Sequence, residues 1–295
     1  MTPLPSSAIN AKIDSYPALP ATVTNVLAVT ADPDSSASDL MNAILPDQAM
    51  CSAILKVANS AFFGIPRGVS TIERAVVVLG YEEIRNIVIG KAIFASFPKL
   101  DKNRKQDVGL FWEHAFTCGL AAKIIAEHYK LSGNEFFIAG LIHDIGKLAM
   151  LMTFSDKYPF LMEFSDTEYF HSTAKEQSLF SISHDQAGLR LANKWMFPEQ
   201  LVMATGYHHD PASAPSFKQY PLIIQLADIL SLLYCYSDVS SGEDVEKIFT
   251  DFLPETKTLW EKNKIPFDPA STGAWFEILK EKRESDQAIL DILSG

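Results

Sequence analysis

Residues 136–150 constrain this chain more than any other stretch. Phe136, Phe137, Ile138, Leu141, Ile142, Ile145, Leu148 and Met150 make the segment apolar on nearly every side, and a helix that is apolar all round has to be buried. Inside it lies Ala139-Gly-Leu-Ile-His-Asp-Ile-Gly-Lys147. The adjacent His143–Asp144 pair and Lys147 are therefore carried into the interior. On a helix of about 3.6 residues per turn, His143 and Asp144 project about 100° apart and can lean into one pocket, with Lys147 on the face of His143. Ionisable side chains are seldom fully buried without partners. A His, an Asp and a Lys in one buried turn need something between them, and a metal with an anionic ligand fits.

The rest of the chain repeats apolar residues at helical spacing. Helices are predicted from Pro17 to Thr30, from Asp39 to Leu45 behind a Ser38 cap, and from an Asp47 cap to Asn59. Ala58–Gly64, with Pro66 and Gly68, reads as a loop, and Ser70-Thr-Ile-Glu73 as a capping box opening a helix that ends at Gly80. Tyr81–Phe97 follows, with Ile84, Ile87, Val88 and Phe94 as its buried stripe. Pro98–Gly109 is short, charged and polar, and is taken as the join between two lobes. Helices are then expected at Leu110–Lys130, Asn134–Phe154, Ile182–Trp195, Pro198–Tyr207 and Pro221–Tyr236, with a less regular Ser155–Ser178 and amphipathic runs at Gly242–Asn263 and Ala274–Leu293. With no alternating strand pattern of useful length, the expected fold class is all-α, a multi-helix bundle in two lobes. The expected organisation is an N-terminal helical lobe over 1–100, a lobe carrying the histidines over 101–240, and a helical extension over 241–295.

Charge and cysteine usage narrow the function. The formal net charge of −11 argues against broad contact with nucleic acid phosphates and against an anionic membrane surface. No uninterrupted apolar run reaches the ~20 residues of a membrane span, and the N-terminus lacks the basic start and apolar core of a secretory signal. Cys51, Cys118 and Cys235 are far apart with no CxxC pair, which reads as free, reduced thiols. A cytoplasmic protein without nucleic acid or membrane partners is expected.

Seven histidines occur, and five fall where metal ligands would be useful: His114, His143, His184, His208 and His209. Asp144 and Asp228 join them from apolar helices. His128 and His171 are assigned no ligand role. Imidazole and carboxylate together suit first-row metals such as Fe, Mn, Zn or Ni. Seven groups are too many for one tetrahedral ion and fit two divalent metals bridged by Asp144 and a water that would ionise near neutral pH. Lys147 would then meet a phosphate oxygen as a point charge.

The order His114, His143-Asp144, Asp228 resembles the HD superfamily of metal-dependent phosphohydrolases. Lys147, His184 and His208-His209 look like the extended set of its HD-GYP branch, which hydrolyses cyclic dinucleotides at a two- or three-metal centre. The Gly-Tyr-Pro signature of that branch is missing, since Pro211-Ala-Ser-Ala-Pro215 follows Asp210. The N-terminal half is similar to an HDOD domain: Leu19-Pro20, Asp47, Ile54-Leu-Lys-Val-Ala-Asn-Ser-Ala-Phe-Phe-Gly64, Ser70-Thr-Ile-Glu-Arg-Ala75 and Leu79-Gly80. Together the resemblances cover about residues 15–235. They imply an all-α fold with an HD-like helical core in the second lobe, and a bacterial signalling role. Most HDOD members have lost part of the metal set and act through binding, whereas this chain keeps what looks like the full set.

Two functions follow. In one, the protein hydrolyses a nucleotide or other phosphoester: His114, His143, Asp144 and Asp228 hold one metal, His184, His208, His209 and the bridging Asp144 hold the second, and Asp144 and Lys147 are the catalytic pair. In the other, the site is a non-catalytic sensor or scaffold, an iron pair reporting oxygen or redox state to a signalling partner; a third, purely structural reading leaves the site empty. Where metal is bound, two divalent ions are expected, iron or manganese ahead of zinc or nickel. Arg190 is a further candidate for substrate contact.

Overall fold

Every regular element among the described residues of the computed structural model is helical. Those residues are 6–16, 18–60, 64–66, 68–96, 105–154, 158, 172–239, 241–252 and 256–285. In chain order the helices are α1 (Ser6–Asp14), α2 (Ala21–Ala31), α3 (Ala37–Ile44), α4 (Gln48–Ala58), α5 (Ile72–Ser96), α6 (Lys105–His128), α7 (Gly133–Ile142), α8 (Ile145–Phe154), α9 (Ser172–Phe180), α10 (His184–Lys194), α11 (Glu199–Tyr207), α12 (Gln219–Tyr236), α13 (Gly242–Phe252), α14 (Thr256–Lys262) and α15 (Ala270–Ser285). The all-α expectation is met. The expectations for Ala61–Phe63, for the Phe94 side chain, for most of the join at 98–109, for most of 155–171 including His171, and for 286–293 fall outside the described residues.

The chain forms two compact units, Pro17–Leu100 with Lys282–Gly295, and Met1–Tyr16 with Asp101–Glu281. In the first, α2, α3, α4 and α5 pack around Val23, Val26, Leu40, Ile44, Ile54, Ile84 and Val88, all fully buried. Its helix starts show how local chemistry shifted from expectation. Asp47 caps α4 through the Met50 N–H, at 2.9 Å, as anticipated. The α3 cap is Ser36 rather than Ser38, because Ser36 and Asp39 close a reciprocal capping box. Likewise α5 begins behind Thr71, whose hydroxyl accepts the Arg74 N–H at 3.1 Å, one residue past the expected Ser70 cap. Gly80 sits at φ 82° and kinks α5, where the sequence ended one helix and began the next. Asn59 braces the loop: its side chain accepts from Val69 N–H at 2.6 Å and donates to the Val69 and Leu55 carbonyls, tying the end of α4 to the far side of the loop.

In the second unit α7 lies against α6, α11 and α12, while α8 packs on α10. Residues 1–16, grouped with the first lobe by sequence, join this unit because α1 packs on α8 and α10. Lys194 Nζ donates to the carbonyls of Ile13, Asp14 and Tyr16, and Tyr16 donates to the Ala149 carbonyl at 3.1 Å. Residues 241–281 also belong here. Trp260 and Trp275 are buried beside Tyr129, at 5.5 and 6.1 Å between ring centres, and serve as packing residues. His128 is exposed and stands against Trp275.

The apolar segment is one helix in the sequence reading but two in the structure. The α-helix stops at Ile142, turns through His143–Asp144 and resumes at Ile145. Gly133–Phe154 is long and apolar enough to cross a membrane by length and composition, although no uninterrupted apolar run was expected to be. It is 89% buried inside the unit, as a core segment of a folded domain is.

Candidate metal centre

The turn at His143–Asp144 lies at the centre of the second unit, and four other segments deliver side chains to it. His114 comes from α6, His184 is the first residue of α10, His208 caps the C-terminus of α11 with His209 next, and Asp228 comes from the middle of α12. His114, His143, Asp144 and His184 are fully buried, His208 and Asp228 nearly so, and Lys147 is 5% exposed. His209 is half-buried and marks the side on which the cluster meets solvent.

The groups fall into two sets that meet at Asp144. His114 Nε2 lies 3.1 Å from Asp228 Oδ1 and 3.6 Å from Asp144 Oδ2. His143 Nε2 lies 3.4 Å from each of the same two oxygens. On the other side His184 Nε2 is 3.2 Å and His208 Nε2 3.6 Å from Asp144 Oδ1. His209 Nε2 is 3.0 Å from His184 Nε2. Oδ2 of Asp144 thus faces His114 and His143, which also meet Asp228, and Oδ1 faces His184 and His208, with His209 beside them; His143, Asp144 and His208 form a further group across the middle. Each of these outer triads could hold one metal ion.

The far nitrogens set the direction of the rings. Nδ1–H of His143 donates to the Gly140 carbonyl at 2.7 Å, and that of His208 to the Thr205 carbonyl at 3.0 Å. The Ser231 hydroxyl donates to the Asp228 carbonyl, so it accepts from His114 Nδ1–H at 2.8 Å. His184 Nδ1–H donates to Glu176 Oε2 at 2.7 Å. Because all four partners act as acceptors, the Nε2 lone pairs of the neutral rings face inward, the arrangement of metal-ligating histidines.

Glycine brings the elements close enough. A Cβ on Gly140 would stand 2.7 Å from Gly119 Cα and 2.8 Å from the Cys118 carbonyl, so α6 and α7 touch backbone to backbone next to His143. A Cβ on Gly146 would stand 1.8 Å from the His184 carbonyl and 2.6 Å from Gly188 N, so α8 and α10 meet the same way next to Asp144.

Electrostatics supports a cation at this place. His114 Nε2, His143 Nε2 and Asp144 Oδ1 are buried and make no hydrogen bond, and buried polar atoms in that state need an explanation such as an ion. Burial penalises the charge on Asp144, yet His143, Lys147 and His184 outweigh it and hold its carboxyl well below the usual range. Asp228 is held low too, against burial, by the His114 and His143 imidazoles beside it. Burial works against charge on His143 and His184 as well. Asp144 overrides it to raise His143 well above the ordinary imidazole value, and Glu176 with Asp144 raise His184 to about 9. His208 and His209 are pushed down, first by burial and then by neighbouring imidazoles. Without metal, one imidazole in each set is protonated to offset the acids, and protons stand where cations would serve. Nitrogen and oxygen donors in this number and orientation fit divalent first-row metals.

Lys147 Nζ lies on Asp144 Oδ2, at 2.5 Å, as an i,i+3 pair can. Arg190 is not at the site: it makes a two-pronged pair with Asp14, at 2.7 and 3.2 Å. Glu176, Tyr158 and Ser231 were not found by sequence reasoning. Their only sequence trace is a polar residue in a half-apolar neighbourhood, which many surface positions share. Cys51, Cys118 and Cys235 form no disulfide.

A family model for the HDOD domain matches residues 16–211, about two thirds of the chain. The chain belongs to the HDOD family. An uncharacterized protein of Treponema pallidum (strain Nichols) is 26% identical over 227 residues, covering 75% of this chain, which spans only 43% of that relative's length. Among solved structures, a provisionally named phosphohydrolase from Shewanella amazonensis SB2B superposes with a TM-score of 0.71 at 23% identity over 97% of this chain and 98% of its own. A provisionally named metal-dependent phosphohydrolase from the same organism gives 0.63 at 20% identity, covering 97% of each chain. A provisionally named signal transduction protein from Marinobacter aquaeolei VT8 gives 0.73 at 17% identity over 98% of this chain and 66% of its own. At these identities the structural likeness establishes the fold alone. The His/Asp clusters point to divalent metal binding in this chain.

Proposed function

We propose that this HDOD protein is a bacterial, cytoplasmic signalling protein with a dinuclear metal centre, and that it hydrolyses a phosphoester, a nucleotide being the substrate class that the resemblance to HD phosphohydrolases favours. The observation that carries the reading is the position of Asp144: one oxygen faces His114 and His143 and the other His184 and His208, so one carboxylate could bridge two ions. Iron or manganese suits the nitrogen and oxygen donors and the bridging carboxylate. Two such cations would supply Lewis acidity toward a phosphoryl oxygen and acidify water near neutral pH. Asp144 orients both halves, and Lys147 offsets charge on Oδ2. His209, on the solvent side, lies where a phosphoester would approach. Cyclic dinucleotides are the less favoured nucleotides, because the Gly-Tyr-Pro segment is missing.

Elemental analysis of the purified chain, followed by a phosphoester screen with Mn²⁺ or Fe²⁺, tests this. Two metals per chain and turnover abolished in His143→Ala is the expected result. One observation favours a second reading, a metal-containing sensor or scaffold that binds a signalling partner and hydrolyses nothing. The two cationic side chains considered for substrate are both engaged elsewhere, Lys147 on Asp144 and Arg190 on Asp14. Two metals without turnover on any phosphoester would establish that reading instead.

A further inference from the structure

The two ligand triads differ in charge. The first, His114, His143 and Asp228, has a carboxylate of its own besides its share of Asp144. The second, His184, His208 and His209, is all imidazole and has only Asp144 Oδ1. A divalent ion in a buried site needs nearby anionic charge, because the interior cannot replace its hydration. Glu176 on α9 supplies a charge at that place. Its side chain is nearly buried, and Oε2 accepts both the Nδ1–H and the backbone N–H of His184, each at 2.7 Å. Oε1 accepts the hydroxyl of the buried Tyr158 at 2.5 Å. The N–H it takes from His184 opens α10, where the helix dipole also favours an anion. By contrast, the Nδ1 groups of His114, His143 and His208 rest on a hydroxyl or carbonyl oxygens, which are neutral. A carboxylate behind a ligating imidazole raises its basicity as a ligand.

We propose that Glu176 is the counter-charge of the second half-site: its carboxylate, acting through the Nδ1–H of His184, makes that ring the strong donor that lets an otherwise neutral triad hold a divalent cation, while Tyr158 keeps the carboxylate aimed. Glu176 is thus a positioning residue, and its role rests on the dinuclear reading above.

The test is Glu176→Gln. Glutamine keeps the shape; its carbonyl oxygen can accept both His184 N–H groups and its amide can donate to Tyr158, so only the charge is lost. Metal content after dialysis against a fixed free Mn²⁺ concentration should fall from two per chain to one, the second affinity weakening by about 10–100-fold, with circular dichroism unchanged. Combined with His114→Ala, which removes the first half-site, Glu176→Gln should leave no bound metal. Tyr158→Phe, which keeps the charge, should retain both ions. If the wild-type chain binds one metal or none, the dinuclear reading fails and this inference with it. If the wild type binds two and Glu176→Gln also binds two with wild-type affinities, the dinuclear reading stands and the role of Glu176 is overturned. Loss of both ions together from a folded Glu176→Gln, or a Tyr158→Phe that loses the second ion as completely, would overturn it too, showing a packing effect in place of a charge effect.

Discussion

At the first half-site α6 meets α7 at Gly119 and Gly140; at the second, α8 meets α10 at Gly146 and Gly188. Both crossings put ligand-bearing helices within backbone contact, and both sit beside the His143–Asp144 turn. The second is tighter, and the atom in the way is the carbonyl of His184, itself a candidate ligand. The first half also carries Asp228, whereas the second draws on Glu176 through a histidine. The contrast teaches that one turn can organise two similar pockets whose strength comes from different sources: a direct carboxylate and a looser crossing on one side, a relayed carboxylate and a closer crossing on the other.

The comparison breaks most completely at the residue shared by both halves. Asp144→Asn should weaken metal binding at both by about 3–5 kcal/mol, the cost of removing one partner from a buried charge cluster. It should also lower the Tm of the metal-free chain, because Lys147 loses its 2.5 Å partner. Calorimetric titration with Mn²⁺ and a thermal melt would check the two effects; a change confined to one half would end the idea of a bridge.

The crossings can be tested separately. Gly146→Ala should destabilise the fold by about 3 kcal/mol or more and remove the second metal first, since the new methyl would overlap the His184 carbonyl. Gly140→Ala should cost about 1–3 kcal/mol and act on the first metal. Helix propensity alone would favour alanine by about 1 kcal/mol at either position, so net losses in denaturant unfolding would report the close approach.

Acidity separates the metal-free centre from the loaded one. The His184 pKa lies at about 9 in the fold against 6.5 for a free imidazole. Its protonation therefore stabilises the metal-free fold fully below about pH 6.5, and that contribution is lost as pH rises through 9, on the order of 3 kcal/mol. The Tm of the metal-free chain should fall between pH 6.5 and 9.5, and bound metal, which replaces the proton, should flatten the fall. A metal-free Tm that is level across that window would show that Glu176 and Asp144 do not hold a proton on His184.

The smallest effect is expected at Ser231→Ala. The His114 ring would lose the acceptor 2.8 Å from its Nδ1, weakening the first metal about tenfold and leaving the second unchanged in the same titration.

The helices and the ligand inventory were legible along the chain, because each rests on residues near in sequence or unusual in their setting. Apolar spacing marks a helix within a few turns, and a histidine or aspartate inside an apolar run stands out wherever it occurs. Caps were legible to within a residue or two, since Ser36 and Ser38, or Ser70 and Thr71, offer the same hydroxyl and only the final backbone angle selects one. Convergence was another matter. Which oxygen of Asp144 faces which imidazoles, and which residues back the rings, depend largely on segments tens of residues apart. Glycine, which permits the two crossings, carries no side chain to announce them, and Glu176 looks like any surface acid until α9 lays it against the start of α10. The sequence by itself determined an all-helical chain holding a stock of metal-ligand side chains. Only the tertiary structure decided that these converge around Asp144 in groups of unequal charge, because short-range forces between distant segments set distances, and a single chain read in order contains no distances between its remote parts.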